Sequence, residues 1–418
     1  MNYKKLFPFY DNNPGSVYLD TACMGLKPRR VIDSINRYYT HYSTCAGRAP
    51  YSLSRDLSTK IEESRESVAA LINSRSRREV IFTRNTSESI NLLANIFPFK
   101  ENDRVIITEK EHNSNHCVWK ELEKKGKIKL TILDVNDDNT FNLNLFEDEM
   151  KKNDVALVSL VHISNLDGIE NPIKKIAEIT HRYNSLLLVD GAQSVPHSRV
   201  DVQELGIDFL AFSMHKVYGP TGIGILFVKN EHFGELSLYN VGGDTIRNTY
   251  IDKETEYRSY PYRYEAGLQD FANIFACKAA CDFVNEIGYE NMDERIEPLN
   301  CDFRDFLKSY REIEIIGDCD ISCVKGITTF VIKKFTRFSE KDMSVGEILD
   351  KKHKIMLRTG FFCVNPYFDN REKKKLLNPI HYPPIRVSFG FYNDKDDLDT
   401  LKIGISEILE SVKDWPVI

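Results

Sequence analysis

No stretch of this 418-residue chain stays apolar for the roughly 18 residues that a membrane-spanning helix requires, so no transmembrane anchor is expected. An excess of one charge is missing too: 56 lysines and arginines face 62 aspartates and glutamates, a formal net charge of -6, and the two signs are mixed along the chain. Without a basic stripe, a nucleic-acid partner is not expected, and short clusters such as Arg371 to Lys375 read as solvated loops. The nine cysteines form no Cys-x-x-Cys hairpin; Cys277 and Cys281, like Cys319 and Cys323, stand four apart, which is not the spacing of common zinc sites. No metal is expected, and most of the thiols read as reduced core residues. The segment Met1 to Pro8 has neither the apolar stretch nor the cleavage pattern of a signal peptide, which makes the cytoplasm the expected location. Repeats and low-complexity linkers are lacking as well.

What the chain does have is a run of seven candidate strands: Val80 to Thr83, Arg104 to Thr108, Lys129 to Leu133, Val155 to Val161, Leu186 to Asp190, Phe209 to Ser213 and Ile223 to Val228. Several are continuously apolar rather than alternating, the pattern of strands covered by helices on both faces. Helical stretches such as Ser87 to Ile96 and Ile173 to Tyr183 lie between them, so the middle of the chain reads as an α/β unit. From about Gly288 the pattern changes to helix, strand, a long loop and a final helix, Asp394 to Val412, which reads as a smaller α+β domain. At this length two domains are the natural expectation.

Two of the strands end on chemistry. Leu186 to Val189 delivers Asp190 in Asp-Gly-Ala-Gln-Ser194, and Phe209 to Ser213 is followed by Met-His-Lys216-Val-Tyr-Gly-Pro-Thr-Gly. Ligands of open α/β sheets bind beyond such carboxyl ends. An amine that can hold an aldehyde and an acid that can hold a pyridine nitrogen are what pyridoxal phosphate needs, and Lys216 and Asp190 supply both. The phosphate needs donors aimed at one point, which a helix amino terminus provides. Asn85-Thr-Ser-Glu88 fits, with Asn85 as cap and hydroxyls on Thr86 and Ser87 in the first turn.

Taken in order, these blocks resemble the class V aminotransferase-like enzymes, and within them the SUF-type (group II) cysteine desulfurases. The likeness runs nearly end to end, through Tyr18-Leu-Asp-Thr-Ala22, Thr83 to Leu93, Glu111-His112, Val161 to Gly168, the lysine block, Arg263-Tyr-Glu-Ala-Gly267, Arg358-Thr-Gly-Phe-Phe-Cys363 and Arg386 to Tyr392. It implies fold type I: a large domain at 26–287 with a seven-stranded, mainly parallel sheet, a small α+β domain at 288–418 carrying the Cys363 loop, and an amino-terminal segment, 1–25, packed with the small domain. It also implies a homodimer.

By the same matching, Ser213 and His215 join Thr86 and Ser87 at the phosphate, and His112 stacks on the pyridine ring and shuttles protons. Asn165 and Gln193 hydrogen-bond near the phenolic oxygen or the substrate carboxylate. Arg386 holds that carboxylate with its planar fork, and Arg358 and Arg48 help line the site. His116 and Cys117 read as packing or surface residues. The implied reaction converts L-cysteine to L-alanine: Lys216 removes the Cα proton, Cys363 takes the sulfur as a persulfide, and a protein sulfur acceptor or iron-sulfur scaffold receives it. Selenocysteine is an equally admissible substrate. Two departures stand out. Related desulfurases carry Gly-Thr-Pro where this chain has Gly267-Leu-Gln269, so Leu268 cannot supply the hydroxyl that reaches a phosphate across the dimer. They also commonly carry two histidines where this chain has Phe361 and Phe362, which bring no charge to a thiol whose ordinary pKa is about 8.5. Selenocysteine lyase, direct C–S lyase, epimerase and molybdenum-cofactor sulfurase chemistries remain open on the same scaffold, as does a non-catalytic relative.

Overall fold

A computed structural model of the chain describes residues 2–47, 49–333, 343–377 and 382–411. The first strand, β1 (Val17–Tyr18), is short. Seven more form the large sheet: β2 (Val80–Thr83), β3 (Arg104–Thr108), β4 (Lys129–Leu133), β5 (Val155–Val161), β6 (Leu186–Asp190), β7 (Phe209–Ser213) and β8 (Gly224–Val228). Their spatial order is β2-β8-β7-β6-β5-β3-β4. β8 runs antiparallel to both of its neighbours and all other pairs are parallel. The continuous apolar runs are explained by burial on both faces: every residue of β7 and β8 is buried. Helices do the covering. In Ile173–Arg182 the buried residues Ile173, Ile176, Ala177, Ile179 and Thr180 fall at helical spacing, so that one stripe faces the sheet.

A hairpin, β9 (Ile246–Asn248) with β10 (Glu256–Tyr257), precedes two long helices, Phe271–Ile287 and Tyr289–Lys308, which meet at Gly288. Beyond them lie β11 (Ile313–Ile316), β12 (Ile327–Ile332), β13 (Ile355–Met356), β14 (Arg358–Thr359) and β15 (Ile385–Ser388). An antiparallel sheet in the order β11-β12-β15-β14 forms there. The amino-terminal segment joins it: β1 pairs with β13, and Asp20 bridges to Ser388.

The expected elements match these bounds to within a residue, with two exceptions in content. The expected long loop contains the helix Asn365–Lys373, which Pro366 opens and which buries Tyr367, Phe368 and Arg371. That corrects the reading of Arg371 to Lys375 as solvated loop at its first residue, because the Arg371 guanidinium lies over the Tyr367 ring and within 3.5 Å of Glu109, while Glu372 to Lys375 are exposed. Nor are most of the cysteines in the core: only Cys277 and Cys281 are buried, while Cys45, Cys117 and Cys363 are exposed and the other four lie between. The last helix is described over Lys395–Ser411; Val412, its expected end, lies outside the described residues. Among the described residues no helix is long and apolar enough to cross a membrane.

The amino edge of the large sheet is stapled by one buried carboxylate. Asp208 accepts from the Leu187 backbone N–H at 2.9 Å, from His181 Nε2 at 2.8 Å and from His232 Nε2 at 3.1 Å. Burial opposes its charge, but these donors prevail and hold its pKa down at about 2. A depressed carboxylate stabilises the fold above its unfolded pKa of about 3.8 and loses that contribution as pH falls through 2. Asp208→Asn is expected to cost about 2 kcal/mol at pH 7, with the gap to wild type closing between pH 4 and 2; urea unfolding across that range measures it.

Candidate active site

The carboxyl ends of β2, β7, β6, β5 and β3 open onto one cavity of about 340 Å3. It is lined by Thr86 and Ser87 after β2, His112 and Ser114 after β3, Asn165 after β5, Asp190 and Gln193 after β6, and Ser213, His215 and Lys216 after β7. Arg358, Phe362, Cys363 and Arg386 close it from the antiparallel sheet, and Ala22 and Cys23 from the amino-terminal segment. Arg48 lies outside the described residues.

The wall formed by the helix Thr86–Ile96 is rich in hydroxyls. Asn85 caps the helix by accepting from the Glu88 N–H at 3.0 Å. The Thr86 N–H donates to Ser213 Oγ at 2.8 Å, and the Thr86 and Ser213 hydroxyls are 2.6 Å apart. Ser87 Oγ meets Ser114 Oγ at 2.5 Å. The Asn85 backbone can come so close to β8 because position 224 is glycine: a Cβ there would stand 2.5 Å from Asn85 backbone atoms. A helix amino terminus, its dipole and four hydroxyls together suit an anion such as a phosphate.

Asp190 and Lys216 lie deeper. Asp190 is 2% exposed, and its carboxylate accepts from the Ala192 N–H at 3.0 Å. Burial raises its pKa, with Ala192 and Lys216 opposing, and burial lowers that of Lys216, with Asp190 opposing. A buried acid with a single close donor suits a cationic ring nitrogen, and an amine with a depressed pKa suits a carbonyl carbon. The Lys216 turn is gripped from the amino-terminal segment: the Gly25 N–H donates to the His215 carbonyl at 3.1 Å and Lys27 Nζ donates to the same oxygen at 2.7 Å. A Cβ on Gly25 would stand 2.8 Å from the Lys216 carbonyl oxygen. Among the described residues Lys27 has no carboxylate partner, and burial lowers its pKa to about 7.

Both cavity histidines are neutral at neutral pH. Burial first, then the charge of Lys216, pushes His112 and His215 down to about 4. His112 Nδ1 accepts from the Ser114 N–H at 3.1 Å, which assigns the ring proton to Nε2. Glu111, beside it, accepts from the Val161 N–H at 2.8 Å and Asn115 Nδ2 at 2.7 Å, and meets the Thr108 hydroxyl at 2.7 Å. Those bonds fix the turn that presents His112. Its neighbours His116 and Cys117 are buried and exposed respectively.

Arg386 is 4% exposed. It donates to the Asn165 carbonyl at 3.0 Å and to Asp20 Oδ1 at 3.1 Å, and its guanidinium carbon stands 4.9 Å from the centre of the Phe362 ring. The other oxygen of Asp20 takes Arg358 at 2.7 Å. Two buried polar atoms on the cavity wall, Arg386 Nε and Gln193 Oε1, have no partner among the described residues; a bound molecule with complementary groups would satisfy them. Cys363 is exposed at the mouth. Its carbonyl accepts from the Asn113 N–H at 2.7 Å and that of Phe362 from Asn165 Nδ2 at 2.9 Å. Phe362 and Cys363 have positive φ, +49° and +58° respectively, a conformation that costs about 1–3 kcal/mol per residue and persists where the surroundings impose it.

The model of the family described as aminotransferase class-V matches residues 17–401. The chain belongs to that family. It is 34% identical over 413 residues to a protein of Halalkalibacterium halodurans named "Probable cysteine desulfurase", covering 97% of each chain. It is 34% identical over 406 residues to a cysteine desulfurase of Cronobacter sakazakii, covering 95% of this chain and 94% of the other. Among solved structures, the apo cysteine desulfurase of Thermococcus onnurineus NA1 superposes with a TM-score of 0.89 at 29% identity, covering 98% of this chain and 97% of that one. The Escherichia coli cysteine desulfurase CsdA, in an S-sulfonic acid form, gives 0.87 at 26%, covering 98% of both. The architecture of this class V chain is fold type I, as anticipated.

Sequence reasoning assigned no role to Asp20, Cys23, Lys27 or Ser114. Ser114 had a local signal, a hydroxyl in the first turn after His112; the others face partners far away in sequence. Burial raises the Glu111 pKa to about 7. A carboxyl raised above its unfolded value withdraws stability as pH rises from about 4.5 to 7, on the order of 3 kcal/mol in all. In Glu111→Gln the amide oxygen can accept from Val161 and Asn115 while its nitrogen donates to Thr108. This variant is expected to fold and to lose most of that pH dependence, which chemical denaturation at pH 5 and pH 7 measures.

Proposed function

We propose that this chain is a pyridoxal phosphate-dependent cysteine desulfurase that converts L-cysteine to L-alanine and leaves the sulfur as a persulfide on Cys363. The observation that carries the reading is that Lys216, Asp190, Arg386 and Cys363 line one cavity. Cysteine desulfurase relatives covering almost the whole chain support it. Thr86, Ser87, Ser213 and His215 would hold the phosphate, and Asp190 the ring nitrogen. When bound, the cofactor supplies an electron sink beside the substrate Cα.

The residues of the chain do the rest. Arg386 already has one face on Phe362 and two donors engaged, so its unpaired Nε and remaining N–H groups define where a substrate carboxylate sits. Lys216, with its pKa lowered by burial, is the base that removes the Cα proton. The Cys363 thiolate attacks the substrate sulfur; the Cβ–S bond breaks, its electron pair stays with the carbon fragment, and protonation there completes alanine. His112, carrying its proton on Nε2, is placed to move it. Cys363 at the cavity mouth is then accessible to a protein acceptor or iron-sulfur scaffold. Residues 26–287 and 288–418 act as two domains in this reading, with 1–25 joining the second, and the working form is a cytoplasmic homodimer. The exposed apolar side chains Tyr239, Val241, Ile251 and Leu268 support an interface between copies.

Anaerobic incubation with L-cysteine, followed by intact-mass analysis and an alanine assay, tests the proposal. Wild type gains sulfur and makes alanine, Cys363→Ala keeps the cofactor absorbance but gains no sulfur there, and Lys216→Ala loses both absorbance and turnover. Alanine formation undiminished in Cys363→Ala would remove that thiol from the reaction. Arg386→Lys replaces a fork by a point charge and is expected to raise KM for cysteine at least about tenfold, read from initial rates.

A further inference from the structure

The cavity holds a second thiol that the proposed reaction does not use. Cys23 lines the same cavity as Lys216, Arg358 and Cys363. It is half-buried where Cys363 is exposed. Its backbone is held in a tight turn, with the Cys23 N–H donating to the Asp20 carbonyl at 3.0 Å. The preceding residue is pinned twice: the Ala22 N–H donates to Ser388 Oγ at 3.0 Å and its carbonyl accepts from Gln193 Nε2 at 2.6 Å. Gln193, whose Nε2 holds the Ala22 carbonyl, keeps its buried Oε1 unpartnered on the same cavity wall, an acceptor open to a guest beside this turn. Arg358 is close enough to feel the thiol: its pKa is raised chiefly by the hydrogen bond to Asp20 and in smaller part by Cys23. A guanidinium there neutralises an anionic persulfide.

We propose that Cys23 is a second sulfur-carrying residue, which takes the terminal sulfur from a persulfide on Cys363. The inference rests on the desulfurase reading. In the step, the Cys23 thiolate attacks the outer sulfur of the Cys363 persulfide. The S–S bond at Cys363 breaks with its electron pair left on Cys363 Sγ, and a new S–S bond forms at Cys23. The proton shed by the Cys23 thiol ends on Cys363. Nothing is oxidised or reduced overall, so no further reactant is needed. Cys363 returns to the thiol state while the first sulfur waits in a more enclosed position, and without an acceptor the chain can store two sulfur atoms rather than one.

The test incubates holoenzyme with excess L-cysteine without reductant or acceptor, blocks thiols and persulfides with an alkylating reagent, and maps each cysteine by peptide mass. The exposed Cys45 and Cys117 serve as internal controls for indiscriminate sulfur uptake. The expected result is sulfur on both Cys363 and Cys23 with a burst of about two alanines per chain. In Cys23→Ser, sulfur resides on Cys363 alone and the burst falls to about half; in Cys363→Ser, Cys23 carries none. Sulfur confined to Cys363 in wild type, two sulfurs chained on Cys363, a Cys23–Cys363 disulfide, or a Cys23 persulfide in Cys363→Ser would each overturn the relay while leaving the desulfurase reading standing. No alanine and no bound sulfur in wild type would overturn the desulfurase reading, and the relay with it.

Discussion

Much of the molecule is organised around a guanidinium that has been taken out of water. Arg386 stands on β15 in the antiparallel sheet, yet its partners come from three other places: the Asp20 carboxylate from the amino-terminal segment, the Asn165 carbonyl from the loop after β5, and the Phe362 ring from the Cys363 loop. A buried cation without such partners would cost several kcal/mol, so the parts of the chain that meet at the cavity are obliged to meet in one arrangement. Asp20 extends the constraint outward. It holds Arg358 with its second oxygen and leads directly into the turn that grips the Lys216 loop through Gly25 and Lys27. One carboxylate thus sets both arginines, and the segment that carries it sets the lysine.

The electrostatics of the cavity follow from the same enclosure. Burial pushes His112 and His215 into the neutral form, lowers Lys216 and raises Asp190. Charge is therefore concentrated in the arginine–aspartate cluster, while burial favours the neutral forms of Asp190 and Lys216 on the floor, with uncharged hydrogen-bonding groups between. That division suits a small zwitterion carrying a carboxylate at one end and reacting at its α-carbon and sulfur, with Arg386 reading the carboxylate and Lys216 reaching the α-carbon. The uncharged aromatic pair Phe361–Phe362 has a positive use here: Phe362 packs on Arg386, and the Phe361 ring packs tilted against Phe368 with centres 5.2 Å apart, tying the Cys363 loop to the helix that follows it.

How much of this could be read in advance depended on whether a feature is local. Most strands of the large sheet were legible because burial on both faces leaves an apolar run, although the edge strand Lys129–Leu133 is partly exposed. Lys216, Asp190 and Thr86 were legible because each sits in a strand-to-loop pattern whose geometry is settled within a few residues. The pairing of Asp20 with Arg386 spans 366 positions and leaves no mark in either local sequence. The same holds for Cys23, which reads as an ordinary thiol until the fold brings it to the cavity wall. The helix Asn365–Lys373 was hidden for a different reason: its charged run suggested solvent, whereas Arg371 is buried over Tyr367. The long aliphatic stem of an arginine and a planar head that stacks make such burial feasible, and composition alone does not reveal it.

The most direct test of the account is where the cofactor attaches. Three lysines are buried or nearly so in the described residues around this region: Lys216 at the cavity floor, Lys27 behind the same turn with a pKa near 7, and Lys110 in a closed ion pair with Asp167. Borohydride reduction of the purified holoenzyme makes a lysine–cofactor link permanent, and peptide mapping then locates it. The account predicts the pyridoxyl group on the peptide containing Lys216 and on no other. Labelling of Lys27 or Lys110, or a holoenzyme in which no lysine is labelled, would contradict it.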